Sequence, residues 1–342
     1  MDLFQLTREL IDIPSVTGAE APVADFLASF LRRLGYQVEL QPVAGERANV
    51  IARTAAPLRI VFSTHLDTVP PHMISREDAE EIYGRGACDA KGIIAAQICA
   101  AESLRLSGYE EIGLLFTVDE EMASAGAVVA NEHSWARECR YLINGEPTDN
   151  LLAIGTKGSL RFTLSTEGRA AHSAYPENGE SAIEKLLDVL EALRHCDWPA
   201  DDVFGETTCN IGTITGGTKP NIVPATAAAE VQMRLVTEVE PIKKIIAAAV
   251  GDRAQIEYSS QHAPVRLLAL DELPQCVVRF TTDIPYLTRW GKPLLLGPGS
   301  ILNAHTDLER ISKTDLSRAV ELYVSLATLL STTVATKTAT ST

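Results

Sequence analysis

The chain has 342 residues, 46% hydrophobic and 22% charged, an ordinary soluble composition with apolar mass for about two cores. Thirty Lys and Arg against 45 Asp and Glu give a net charge of −15, which argues against nucleic acid or an anionic membrane surface as the main partner. No uninterrupted apolar run approaches the roughly 18 residues that a membrane span needs. The opening stretch, MDLFQLTRELIDIPSV, carries Asp2, Arg8, Glu9 and Asp12 and lacks the basic and apolar regions of a secretion signal, so the expectation is a cytoplasmic protein. Cys88, Cys99, Cys139, Cys196, Cys209 and Cys276 are scattered, with no CxxC pair, and are expected as reduced thiols.

In chain order, Pro22–Leu34 reads as a helix. Pro22 suits the first turn, Phe26, Leu27, Phe30, Leu31 and Leu34 make one apolar stripe, and Gly35 ends it. Tyr36–Val43 and Asn49–Thr54 read as strands, and Leu58–Ser63 as a strand covered on both faces. Helix Gly92–Leu106, strand Ile112–Thr117, helix Ala125–Cys139 and strand Tyr141–Asn144 follow, an alternation that implies a largely parallel sheet with helices on its faces. The middle of the chain reads differently. Strand Gly158–Glu167, helix Ser181–Arg194, strands Cys209–Thr215 and Ala228–Val236, helix Pro241–Val250 and strand Gln255–Ser260 give the β-α-β-β-α-β order of a ferredoxin-like antiparallel layer. Strand Pro293–Leu296 and helix Thr314–Leu330 close the chain. The fold class is therefore α/β: a mainly parallel-stranded domain at 1–155 and 265–330, interrupted by an inserted α+β domain at 156–264. The Ser-, Thr- and Ala-rich tail 331–342 is expected to be disordered.

Functional groups in open α/β sheets gather at the carboxyl ends of strands. Here LRIVFS runs into THLDTVP and delivers His65 and Asp67; IGLLFTV delivers Asp119, Glu120 and Glu121; YLIN delivers Glu146; and PLLL runs into GPGSILNAHTD, which delivers His305. The glycine-rich GRGACDAKG sets Asp89 just before a helix. That loop fits neither the phosphate-binding nor the dinucleotide fingerprint, and Cys88 reads as a small packed residue. A lone HxD or a Glu pair is ordinarily solvated polarity. Several carboxylates gathered at one edge repel unless a cation joins them, and a His-plus-carboxylate donor set suits zinc.

STHLDTVP, GRGACDAKG, FTVDEE, NGEPT and GPGSILNAH occur in the order and approximate spacing of a family of co-catalytic zinc amidohydrolases and metallopeptidases. That family includes acetylornithine deacetylase, succinyl-diaminopimelate desuccinylase, aminoacylases and glutamate-type carboxypeptidases. The chain resembles it over about residues 1–330. The resemblance implies a zinc-hydrolase domain carrying an inserted lid and dimerisation domain, and two Zn²⁺, with Co²⁺ as a substitute. It implies His65 and Glu146 as ligands of one metal, Glu121 and His305 of the other, and Asp89 as the bridge, often followed by a cis peptide. Asp67 would orient His65, and Glu120 would be the general base. In GRAAHSAYP, His172 matches the histidine that reaches into a partner subunit's site to stabilise the oxyanion. Asn221 and Arg234 match substrate-contacting positions, and Gly299 and Ser300 are further candidate substrate contacts; alternation sets Arg234 on the polar face of its strand, where it would clamp an α-carboxylate. Two departures stand out: Ala90 replaces the usual Met, and the stretch between the inserted domain and GPGS is short.

The leading expectation is a two-zinc deacylase of N-acyl amino acids acting as a homodimer, with N-acetylornithine as best substrate. The alternatives are a succinyl-diaminopimelate desuccinylase, or an exopeptidase, dipeptidase or carboxypeptidase, taking short peptides at the same site. A catalytically dead zinc-binding scaffold is opposed by the complete ligand set, and a nucleotide-binding protein by the missing fingerprint.

Overall fold

The protein is described here by a computed structural model covering residues 1–54 and 57–338. It divides into two compact units, one of Met1–Ile154, Leu267–Cys276 and Thr282–Thr342, the other of Gly155–Arg266 and Val277–Thr281.

The first unit is built on one sheet. Its strands lie in the order Gln37–Ala44, Arg47–Arg53, Ile112–Thr117, Ile60–His65, Tyr141–Asn144, Lys292–Leu295 and Leu152–Thr156. The four from Ile112–Thr117 to Lys292–Leu295 are mutually parallel, and the flanking pairs are antiparallel. Alternation along the strands explains the unbroken apolar runs. Phe62, Leu114, Phe116, Ile143 and Leu294 face a core shared with helices Leu3–Asp12, Ala21–Arg33, Lys91–Leu106 and Lys313–Thr338. Val61, Leu115 and Leu142 face a second core with Ala127, Trp135 and Trp290. Both faces are dry, so neither can alternate with polar residues.

Two expected boundaries change here, and one helix is added. Leu3–Asp12, passed over, is a helix whose Asp2 Oδ1 accepts the N–H groups of Phe4 and Gln5, both at 3.0 Å. The helix expected over Ala125–Cys139 stops at Ala130 and resumes as a 3-10 turn at Ser134–Glu138. Trp290 Nε1 donates to the Ala130 carbonyl at 3.0 Å, so a residue 160 positions away satisfies that helix end. The closing helix does not stop at Leu330: it runs to Thr338, and 339–342 lie outside the described residues.

The second unit is a four-stranded antiparallel sheet in the order Thr208–Gly216, Thr226–Leu235, Gly158–Glu167, Gln255–His262. Helices Ala182–Arg194 and Val239–Val250 cover one face, onto which Ala227, Ala229, Val231, Met233 and Leu235 point, with Leu160, Phe162 and Leu164 beside them. The intervening positions, Gln232 and Arg234 among them, lie on the other face. No helix among the described residues is long and apolar enough to cross a membrane.

Candidate metal centre

In the first unit the parallel strands end together, and the groups they deliver meet. His65 ends its strand fully buried. Its Nδ1 lies 2.9 Å from the backbone oxygen of Asp67, and a carbonyl can only accept, so that nitrogen carries a proton. Nε2 is left pointing at Asp89 Oδ1, 2.9 Å away. The other Asp89 oxygen, Oδ2, lies 3.4 Å from His305 Nε2, which is also 2.9 Å from Glu121 Oε1. Each oxygen of Asp89 thus faces a different histidine. Donor atoms of His65, Asp89 and Glu121 all lie within 4.8 Å of one another. The Asp89–Ala90 peptide is cis.

Asp67 organises the neighbouring strand end. It is fully buried, its Oδ1 accepts the Glu120 N–H at 3.0 Å, and its Oδ2 accepts the Glu121 N–H at 3.1 Å and the Thr17 hydroxyl at 2.9 Å. Asp119 has a left-handed φ of 72° and pairs with Arg47 at 2.7 Å, so it builds the turn. Glu146 is buried, and the backbone of Gly297 packs so closely on it that a Cβ there would sit 2.4 Å from the Glu146 carbonyl oxygen.

The electrostatics describe a cluster short of positive charge. Burial opposes charging of His65, yet its hydrogen bonds to Asp67 and Asp89 outweigh it and push the imidazole well above its ordinary pKa. Hydrogen bonds to Asp89 and Glu121 push His305 up to about 10. Burial, reinforced by the Glu146 charge, pushes Glu120 well above the usual carboxylate range, and burial does the same for Glu146. Without a cation, the imidazoles favour their charged form beside Asp67, Asp89 and Glu121, while Glu120 and Glu146 favour the protonated one. A divalent ion fits better: His65, with its proton fixed on Nδ1, offers the Nε2 lone pair, and Asp89 can serve two ions at once.

Two contributors escaped the sequence reading. Glu309 is 1% exposed, and its Oε1 accepts the N–H groups of Gly86 (2.9 Å), Cys88 (3.2 Å) and Asp89 (3.2 Å). Its Oε2 pairs with the buried Arg85 at 2.6 Å, and Arg85 Nη1 also donates to the Thr306 carbonyl, next to His305. One carboxylate therefore shapes the glycine-rich loop that presents Asp89. Its only sequence signal was a position four residues after His305. Asp283, in the short stretch after the insertion, is buried and accepts the Thr117 hydroxyl at 2.6 Å; burial pushes it up to about 6.

The remaining expected residues are placed as follows. Gly299 (φ 79°) packs on Cys88 Sγ, and the Ser300 carbonyl accepts the Cys88 thiol at 3.2 Å, so both brace the loop. His172, Asn221 and Arg234 belong to the second unit. His172 is exposed and pairs with Ile222, while Asn221 O accepts the Ser173 N–H at 3.1 Å, which puts His172 and Asn221 side by side. Arg234 lies opposite Ser159 and Thr208, half-buried, with no ion pair among the described residues. Burial and the charge of Arg161 lower its pKa.

Comparison with known proteins gives the family and the fold. The peptidase dimerisation domain of the M20 family matches residues 154–255. An M20 peptidase domain-containing protein of Schizosaccharomyces pombe is 38% identical, over 94% of this chain and 83% of its own. A protein of Aspergillus clavatus named a probable carboxypeptidase is 36% identical, over 95% and 81%. A tripeptidase from Staphylococcus aureus shares the fold, with a TM-score of 0.79 at 20% identity over 94% and 96%. The similarity covers 94–95% of this chain and 81–83% of those two curated relatives, and the chain belongs to the M20 peptidase family.

Proposed function

We propose that the enzyme is a zinc-dependent exopeptidase that hydrolyses the amide bond beside a free terminal carboxylate in short peptides. The carrying observation is Arg234, a half-buried guanidinium left without a counter-ion on the face of a sheet. A planar guanidinium binds a carboxylate through two parallel hydrogen bonds. Relatives named probable carboxypeptidases support this reading over the N-acetylornithine deacetylase expected first.

Two ions would be held by His65 and Glu146 on one side and Glu121 and His305 on the other, with Asp89 between them. When bound, such ions polarise the scissile carbonyl and lower the pKa of the attacking water. Glu120 is the proton carrier. Its backbone is pinned by Asp67, and it takes a proton from the attacking water and passes it to the leaving amine. The Ala174 N–H donates to His172 Nδ1 at 3.1 Å, so a neutral His172 carries its proton on Nε2, free to donate to a developing oxyanion.

Within the second unit of one chain, His172 and Asn221 lie far from Arg234. The pairing that holds His172 and Asn221 continues beyond Thr226, and Arg234 is eight residues further along that strand, roughly 27 Å at 3.4 Å per residue. No small substrate spans that distance. A homodimer through the inserted domain, bringing His172 and Asn221 from one copy to the Arg234 of the other, resolves it. The test of the substrate class is a panel of N-blocked dipeptides, their C-terminal amides, and N-acetylornithine. The proposal expects cleavage of the free acids, little of the amides, and the same amide-like loss on the acids for Arg234→Lys. Preference for N-acetylornithine, or equal cleavage of acid and amide, would overturn it.

A further inference from the structure

We propose that the second unit carries a binding site for a free α-amino acid with an apolar side chain, in a cavity lined by Lys157, Val203, Phe204, Glu206, Val277 and Arg279. It is a half-open groove of about 430 Å³, within the range of small-molecule sites. Its charges are arranged for a zwitterion. The Lys157 N–H donates to the Val278 carbonyl at 3.0 Å, which sets Lys157 beside Arg279. Lys157 is 5% exposed, and its ammonium donates to the backbone carbonyl of Glu206 rather than to any carboxylate. Burial, and then the charge of Arg279, lowers the pKa of Lys157, and the Glu206 carboxylate across the cavity partly offsets them. Among the described residues neither cation has an ion-pair partner, nor does the Glu206 carboxylate on the same lining. Two cations suit an α-carboxylate, Glu206 an α-ammonium, and Val203 and Val277, backed by the buried Phe204, an apolar side chain.

The apolar wall is fixed in advance. Asp201 accepts the N–H groups of Val203 (2.8 Å) and Phe204 (2.9 Å) and pairs with Arg266 at 2.8 Å. The Arg266 guanidinium covers the Phe204 ring 5.0 Å from its centroid, and Phe204 is 5% exposed. A wall held this way costs little ordering entropy on binding. The site does not depend on the peptidase reading, although exopeptidase action releases molecules of this class.

The test is calorimetric titration of the metal-loaded protein with leucine, 4-methylpentanoate (no ammonium) and isoamylamine (no carboxylate). Arg279 and Glu206 are exposed, so Arg279→Gln and Glu206→Gln leave the core intact. Leucine is expected to bind saturably, more tightly than either truncated probe. Arg279→Gln should weaken it about tenfold or more, the scale of one charged hydrogen bond. Glu206→Gln should weaken leucine while sparing 4-methylpentanoate. Leucine binding that ignores Arg279→Gln would belong to the metal centre and overturn the proposal, as would no saturable binding by about 10 mM.

Discussion

Replacing Glu309 by Gln tests whether the metal centre is assembled by a residue that is not itself a ligand. Glu309 takes three backbone N–H groups on one oxygen and the buried Arg85 on the other. Glutamine keeps the shape but removes the charge and turns an NH₂ toward one of these donors. Arg85 then stays buried without its counter-charge, a change that costs roughly 3–5 kcal/mol in comparable buried pairs. The loop presenting Asp89 loses its anchor in the same step. Urea unfolding of the metal-free protein, read by Trp135 and Trp290 in a Trp198→Phe background, should show that loss in the first unit. Metal affinity should fall about 10–100-fold, the usual effect of removing support behind a ligand. A stability loss below about 1 kcal/mol with unchanged metal affinity would refute the assignment, because it falls below the range for a broken buried pair.

Glu120→Gln should lower kcat by roughly 10²–10⁴ with metal content unchanged, whereas Glu121→Ala should lose metal; equal activity losses with metal retained in both would exchange the roles. Metal affinity should rise with pH. His65 and His305 must give up protons to bind an ion, and His305 is held at about 10, above its ordinary 6.5. The sign for stability is the reverse: the raised His305 pKa favours the metal-free fold fully below about 6.5 and less as pH climbs toward 10. Chelator competition at several pH values checks this, and a flat profile would contradict it. Inactive His172→Ala and Glu120→Ala chains, once mixed and exchanged, should regain part of the activity, because one site of the heterodimer has both groups; no recovery after demonstrated exchange would exclude sharing between subunits.

The parallel core was legible because burial on both faces leaves strands such as Ile112–Thr117 with no polar alternation to obscure them. The site was legible for a related reason. Strand ends deliver His65, Asp67, Glu120, Glu121 and Glu146 directly, so their places follow from the chain order. Glu309 and Asp283 were not legible, since each acts through contacts more than 160 residues distant and sits in no motif. The break after Ala130 has the same origin, a carbonyl claimed by Trp290. Helix Leu3–Asp12 is a different case. Its cap and its buried Leu6, Leu10 and Ile11 were present in the sequence at helical spacing.

The central claim is that Asp89, with a different histidine facing each of its oxygens, would join two ions that together would support amide hydrolysis. Titrating the metal-free protein with zinc while following hydrolysis of an N-blocked dipeptide tests it most directly. Activity is predicted to climb until two equivalents per chain are bound and then level off. Full activity at one equivalent, or activity that ignores zinc altogether, would contradict the account.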